Sequence, residues 1–331
     1  MSTLKRILRR AIVRALPLLG TIFLPALAAA QVYPAAPIKL VVPFSGGGGT
    51  DAVARVVAQS LAETIGQPVI VENRPGAAGA LGTINVVRSR ADGYTLLLGS
   101  NGPIAINPSL DPKLGYEPIR DLVAVSGIAS VPFLLVANTD FPANNIEELI
   151  KIAKNKPGTV NFASPGTGTT NHLVGELLKT MTHIDMVHIP YKGAAPAMND
   201  VASGVVQIMS GDINTLLPMI DSGRIKPVAV TGAKRSRLVS KVPTVAESGV
   251  PGFEANGWFG LFAPAGTPPE ILSKLSDAMA IVLKNPDVVS RIDALGGTPL
   301  LLSGKAFEDF SEKERAKWKE VIDAHNIMAG G

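Results

Sequence analysis

Residues 38–51 read Ile-Lys-Leu-Val-Val-Pro-Phe-Ser-Gly-Gly-Gly-Gly-Thr-Asp, and residues 160–171 read Val-Asn-Phe-Ala-Ser-Pro-Gly-Thr-Gly-Thr-Thr-Asn. Both follow one arrangement: an apolar strand, a loop of glycines and small hydroxyl residues, then a helix, beginning near Ala52 in the first case and near His172 in the second. A helix N-terminus reached through such a loop offers unpaired backbone N–H groups and the positive end of the helix dipole, which together attract an anion. Glycines let the backbone approach a ligand with no Cβ in the way. A single loop of this kind also occurs as a plain strand-to-helix turn. Two of them, in separate halves of the chain, predict a cleft for a small molecule with an anionic group at each end.

The sequence around these loops supports two α/β halves. After Ile38–Phe44, a helix over Ala52–Ile65 carries Val53, Val56, Val57 and Leu61 on one stripe and is closed by Gly66. Val69–Glu72, a turn at Pro75-Gly76-Ala77-Ala78-Gly79, a helix to about Arg90 and the strand Tyr94–Leu98 complete a βαβαβ unit, which calls for a parallel sheet with helices on both faces. The pattern restarts near Val131. Phe133–Ala137, the helix Ile146–Asn155, Val160–Ala163, the helix His172–Met181, Met186–Pro190, the helix Ala194–Ser203, Val206–Met209 and Pro227–Thr231 follow. Trp258–Ala263 reads as a further strand, and the last 60 or so residues read as helices only. Phe133–Ala137 and Trp258–Ala263 are the candidate crossing strands. The expected architecture is α/β, of the type II periplasmic-binding-protein kind: two βαβ lobes joined by two crossing strands around a ligand cleft. Lobe I comprises residues 31–131 with 258–331, and lobe II residues 132–257. In open α/β sheets a ligand sits at the carboxyl ends of the strands, which is where both loops lie.

Charge and composition narrow the function. Lys5, Arg6, Arg9, Arg10 and Arg14 precede the apolar stretch Ala15–Leu27 and the small residues Ala28-Ala29-Ala30, the features of a signal peptide over residues 1–30 with cleavage near Ala30. Thirteen apolar residues fall short of the roughly 20 that a spanning helix needs. Taking the leader's five basic residues from the 31 in the chain leaves 26 against 27 acidic ones, so the net charge moves from +4 to −1. A nucleic-acid partner thereby loses its electrostatic basis. With no Cys, an exported chain relies on its cores rather than on disulfides, and a lipid anchor on Cys is excluded.

Several motifs, in order, carry a resemblance: Val41-Val42-Pro43-Phe44 with Thr50-Asp51; Gly66-Gln67-Pro68-Val69 through Val71-Glu72-Asn73-Arg74-Pro75-Gly76; Asp92-Gly93-Tyr94-Thr95-Leu96; Pro190-Tyr191-Lys192-Gly193 with Ala195-Pro196-Ala197; Pro243-Thr244-Val245-Ala246-Glu247; and Ala263-Pro264-Ala265-Gly266-Thr267-Pro268. From about Pro37 to the C-terminal helix the chain resembles the Bug-type substrate-binding proteins of tripartite tricarboxylate transporters. The resemblance implies a periplasmic receptor that closes on a di- or tricarboxylate, an acidic amino acid or an aromatic acid and delivers it to a two-subunit membrane permease. It also implies that backbone amides, short polar side chains and waters hold the ligand. The chain departs from the family's pattern at Ser45 and Gly48-Gly49, and again at Ala77–Thr83.

The candidate ligand-binding residues are Phe44, Ser45, Gly47, Gly48, Thr50 and Asp51 in the first loop and Ser164, Gly166, Gly168 and Thr169 in the second. Asn101, Tyr191 and Asp212 join them at the ends of further strands. Thr170 and Asn171 are expected to cap their helix. For Asp212 two roles stay open: capping the helix Ile213–Ile220, or positioning a ligand amine, hydroxyl or water. Four charged hydrogen bonds of roughly 1.5–3 kcal/mol each cover the about 8 kcal/mol of micromolar binding, so an arginine clamp is not required. No Walker lysine follows the glycines, Asp51 stands where a dinucleotide fingerprint has its third glycine, and no Gly-x-Ser-x-Gly is present. His172 and Glu176, at i and i+4, are too few for a metal site. No cofactor, metal or catalysis is expected, and the receptor is expected to be a monomer. A sensor signalling to a membrane histidine kinase would use the same pocket and is the alternative.

Overall fold

The computed structural model describes residues 33–111 and 113–328; the expected leader at 1–30 lies outside the described residues. Strand β1 (Ile38–Val42) is buried along most of its length, as a strand covered on both faces must be. Helix α1 (Gly49–Ile65) follows and turns Val53, Val57 and Leu61 into the core. It ends at Gly66, whose left-handed conformation (φ 72°) returns its N–H to the Ala62 carbonyl. Strands β2 (Val69–Asn73) and β3 (Thr95–Ser100) flank β1 in parallel, with α2 (Ala80–Val87) between them in sequence.

The second half repeats the plan. Its elements are β4 (Leu122–Asn138), α3 (Ile146–Asn155), β5 (Val160–Ser164), α4 (Thr170–Thr182), β6 (Met186–Pro190), α5 (Ala194–Ala202), β7 (Ile208–Asp212), α6 (Ile213–Asp221) and β8 (Ile225–Val230). Here β5 lies parallel between β6 and β7. The chain then returns through β9 (Asn256–Pro264) and ends in α7 (Pro269–Val282), α8 (Pro286–Ala294), the two-residue strand β10 (Thr298–Pro299) and α9 (Gly304–Ala324). The sheet order is β2-β1-β3-β9-β4-β7-β5-β6, with β8 and β10 also on β4.

Strand β4 makes the two lobes one molecule. It runs for 17 residues. Residues Leu122 to Pro132 pair antiparallel with β9, and Phe133 onward with β7 and β8. The sequence pattern predicts only the second part, Phe133–Ala137. Ser126-Gly127 and Pro132 interrupt the apolar run of the first, and its register slips twice, between Ala124 and Ser126 and between Gly127 and Ala129. Gly127 is required there, since a Cβ would lie 2.6 Å from the Leu300 carbonyl oxygen. That contact belongs to the segment that enters α9. The C-terminal section, expected to hold helices only, also supplies β10, which pairs with β4 at Ala129 and Ser130.

Helix α9 seals the back of the crossing strands. Phe307 meets Trp258 of β9 edge-on at 5.9 Å and Phe262 at 5.3 Å. Glu314 Oε2 accepts from the indole N–H groups of both Trp258 and Trp318, at 3.2 Å each. Both indoles are therefore buried without an orphaned donor.

Candidate functional site

At the carboxyl ends of β1, β3, β5 and β7 lies a cavity of about 920 Å³, within the range of small-molecule sites. The first lobe contributes Phe44, Gly49, Thr50, the Ala77–Leu81 turn, Asn101 and Leu110. The second contributes Gly168 through Asn171 and Asp212 through Thr215, while Val131–Phe133 and Gly257–Phe259 of the crossing strands complete the wall. Gly49 and Thr50 are the first two residues of α1, and Thr170 and Asn171 the first two of α4. Their N–H groups have no intrahelical carbonyl to meet. Two helix N-termini thus face one chamber from opposite lobes.

The loop before α4 is held from within. Thr169, rather than Thr170 or Asn171, is the cap: its Oγ1 accepts from the His172 N–H at 3.3 Å and donates to the Gly166 carbonyl at 2.8 Å. The Gly168 N–H donates to His172 Nδ1 at 3.1 Å, and the Gly166 N–H to Ser164 Oγ at 3.2 Å. Neither glycine amide is left over for a ligand. Because Nδ1 of His172 accepts, its proton sits on Nε2, which faces Glu176 Oε1 at 3.5 Å. Glu176 Oε2 in turn lies 2.9 Å from Lys179 Nζ and 3.1 Å from His325 Nδ1, just beyond α9. Burial alone would push Glu176 up, but His172, Lys179 and His325 outweigh it and hold the carboxyl below its ordinary range. Ser164 is fully buried, with Oγ 2.7 Å from His188 Nε2. The His188 ring stacks on His172 with centroids 3.6 Å apart. Burial, then the neighbouring His172, pushes His188 down to about 4.

The loop before α1 is fastened by Asp51. Its carboxylate accepts from the Gly47 N–H (3.0 Å), Arg55 Nε (2.9 Å) and Asn73 Nδ2 (2.9 Å). Asn73 also donates to the Phe44 carbonyl at 3.1 Å. The hydrogen bond from Arg55, then that from Gly47, brings Asp51 down to about 2. Asp51 therefore shapes the turn and does not face the chamber.

Of the thirteen sequence candidates, Phe44, Thr50, Asn101, Gly168, Thr169 and Asp212 line the cavity; Ser45, Gly47, Gly48, Asp51, Ser164, Gly166 and Tyr191 do not. Tyr191 points its hydroxyl at Asp200 instead, at 2.6 Å. Asn101 lines the wall with both ends of its amide engaged: Nδ2 donates to the Asn256 carbonyl at 3.0 Å, and Oδ1 accepts from the Trp258 N–H at 2.6 Å. Asp212 precedes α6 but its side chain does not cap it. Open to the chamber yet crowded by protein, its carboxyl is pushed above the ordinary range by lost hydration alone.

The sequence reading missed the apolar wall. Ala77 and Ala78 both adopt positive φ (47° and 51°), a conformation that costs a residue with a Cβ. They turn the Pro75–Gly79 segment so that Ala80 and Leu81 meet the cavity. The departure from the family's pattern at Ala77–Thr83 was the available signal. Leu110 reaches across to the second lobe, where its Cδ1 would lie 2.5 Å from a Cβ on Gly168.

The tripartite tricarboxylate transporter family receptor model matches residues 53–327. Protein BugT of Bordetella pertussis is 40% identical over 294 residues, covering 88% of this chain and 90% of that protein. Among solved structures, an R. palustris protein with adipate is 36% identical with a TM-score of 0.76, covering 89% of this chain and 99% of that one. MatC from Rhodopseudomonas palustris with bound malate is 32% identical with a TM-score of 0.71, covering 88% and 100%. The match of sequence along nearly the whole described length, together with the two-lobed cleft, means that this chain belongs to the tripartite tricarboxylate transporter receptor family, among the Bug-type substrate-binding proteins.

Proposed function

We propose that this protein is an exported periplasmic receptor that encloses a small organic acid between its lobes and hands it to a two-subunit membrane permease. The observation that carries this reading is the pair of helix N-termini, Gly49-Thr50 and Thr170-Asn171, on opposite walls of one cavity. Lys113 is the one Lys or Arg among the lining residues. The positive potential offered to a ligand is therefore mainly that of backbone amides. One carboxylate meets the first turn of α4, and the far end of the molecule meets the first turn of α1. The ligand favours the form in which both lobes touch it, and that closed form is the one the permease reads. Adipate and malate in the two related structures are both diacids, in keeping with one anionic group per loop. No helix among the described residues is long and apolar enough to cross a membrane.

A thermal-shift screen of mono-, di- and tricarboxylates, amino acids and neutral amides tests the proposal. A ligand at 100 times its dissociation constant adds about 2.7 kcal/mol, a shift of several degrees for a protein of this size. A diacid hit supports one anion per loop. Stabilisation by neutral amides with none by any acid, on protein first unfolded and refolded to strip a carried ligand, would overturn it.

A further inference from the structure

Helix α4 begins with a capping box in which one residue is unusual. In the ordinary box a Ser or Thr at the cap and a Glu or Gln three residues on bond each other's backbone N–H groups. Here the cap is Thr169 and the third helical residue is His172. Thr169 Oγ1 accepts from the His172 N–H at 3.3 Å. The returning bond runs from the Gly168 N–H to His172 Nδ1 at 3.1 Å. It uses the amide one residue before the cap, because the Thr169 N–H is already held by the Gly166 carbonyl at 3.3 Å. A carboxylate in this place would accept at any pH near neutrality, whereas an imidazole accepts at Nδ1 only while it is neutral. Gly168, Thr169, Thr170 and Asn171 all line the cavity, so this bond sits at the root of the second lobe's share of the wall.

Resting on the proposed function only in that this loop faces the ligand, we infer that His172 is the positioning residue of the loop: neutral, it holds the ligand-ready form, and protonated, it releases it. Nε2 already carries a hydrogen toward Glu176 Oε1 at 3.5 Å, so a further proton has only Nδ1 to occupy. That proton turns the acceptor of the Gly168 N–H into a second donor, and the amide has to turn away. Gly168 (φ +76°) and Gly166 (φ +149°) give the loop the freedom to do so. The surroundings supply a counter-charge for one imidazolium and no more. On the same helix Glu176 faces the ring, and Lys179 Nζ takes the other carboxylate oxygen at 2.9 Å. Just beyond α9, His325 Nδ1 lies 3.1 Å from that oxygen. From β6 the His188 ring stacks on His172 with centroids 3.6 Å apart, and Phe162 of β5 stacks at 6.1 Å. Two charged rings in that stack would repel each other. His188 is the ring that burial, then its neighbour His172, keeps neutral down to about 4.

Magnetic resonance of the isotope-labelled, refolded, ligand-free protein from pH 7.5 to pH 5.5 tests this at two atoms. The Nδ1 signal of His172 should move from that of an acceptor nitrogen to that of a protonated one. Over the same interval the Gly168 amide should lose its hydrogen-exchange protection at least ten-fold. His172→Asn places Oδ1 where Nδ1 stands and accepts at every pH, so its Gly168 protection should stay within two-fold across the interval. His172→Leu, which offers no acceptor, should show the low protection at both ends. With malate or adipate as the probe, calorimetry should show the parent losing at least five-fold more affinity than His172→Asn between the two pH values. The variant shares any titration of the acid itself, so the comparison isolates the ring. A His172 ring still unprotonated at Nδ1 at pH 5.5, a Gly168 amide protected throughout, or the same fall in His172→Asn would each overturn the inference. Equal losses of affinity in parent and variant would overturn it too, with the carboxylate reading left standing. Failure of every acid in the screen would remove that reading alone, and the ring and the amide would still decide the inference.

Discussion

Gly168→Val separates the strain of a loop from the closure of a cleft. Gly168 has φ +76°, where a residue with a Cβ loses about 1–2 kcal/mol. That cost falls on every folded form. The new Cβ would also stand 2.5 Å from Leu110 Cδ1, and forcing such a contact costs about 1–3 kcal/mol. Leu110 belongs to the first lobe and Gly168 to the second, so this second cost arises only when the lobes are together. Ligand affinity should then fall about 5- to 150-fold, while the unliganded protein loses only the strain. Calorimetric titration with the best acid of the screen gives the first quantity, and urea unfolding of the unliganded protein the second. Leu110→Ala in the same chain removes the clash and not the strain, so the double variant should regain most of the affinity and none of the lost stability. Binding within two-fold of the parent, or a double variant no better than the single, would refute the view that these two residues meet as the cleft closes.

The stacked histidines predict an acid-sensitive second lobe. His188 binds its proton more weakly when folded (about 4) than when unfolded (6.5), so its contribution is fully present above pH 6.5 and is lost as pH falls from there toward 4. The linkage loss is about 2 kcal/mol at pH 5. Urea melts at pH 7 and pH 5 should show it, and His188→Gln should flatten the difference. Asp51→Asn removes the charged acceptor of the Gly47, Arg55 and Asn73 bonds; a loss of about 1–3 kcal/mol and weaker ligand binding are expected, and unchanged binding would mean that the first loop needs no staple. The parent's Asp51 contribution is present above pH 3.8 and fades toward about 2. Gly260→Ala places a Cβ 2.0 Å from Phe307 Cζ, in a ring already packed against Trp258 and Phe262. A loss of about 3 kcal/mol in urea unfolding is expected, with partial recovery in a Gly260→Ala, Phe307→Leu double variant.

Most of the fold was legible because its strands obey local rules. β1, β5 and β6 are short apolar runs bounded by Gly, Pro and Ser, and α1 declares itself by the spacing of Val53, Val57 and Leu61 and by its terminal Gly66. The first part of β4 broke those rules for tertiary reasons. Its bulges and its Ser126-Gly127 pair make room for the chain at Leu300 and Leu302, which lie far off in sequence, with the Gly127 N–H donating to the Leu302 carbonyl at 2.8 Å. No window of a dozen residues contains that partner. The two-residue strand β10 is invisible for the same reason, since it exists only because β4 lies beside it.

The site was legible in place but not in detail, because polar residues near a binding loop serve two masters. Ser164, Asp51 and the amides of Gly166 and Gly168 look like ligand groups by type and position. Each is instead engaged by another group of the protein, by His188, by Arg55 and Asn73, by Ser164 and by His172 respectively. A loop must present fixed dipoles to be useful, since donors that reorganise on binding give back part of what they contribute. The sequence-visible polar groups therefore hold the frame, and in the function proposed above it is the first amides of α1 and α4, which any sequence would supply, that are left to receive a ligand. Discrimination between acids has to come from what is not backbone: the wall at Ala77–Leu81, the reach of Leu110, and the one carboxylate, at Asp212, that the frame leaves unspent. On the proposed function, substitutions at these wall positions should change which acid binds, while changes within the turns alter how tightly any acid does.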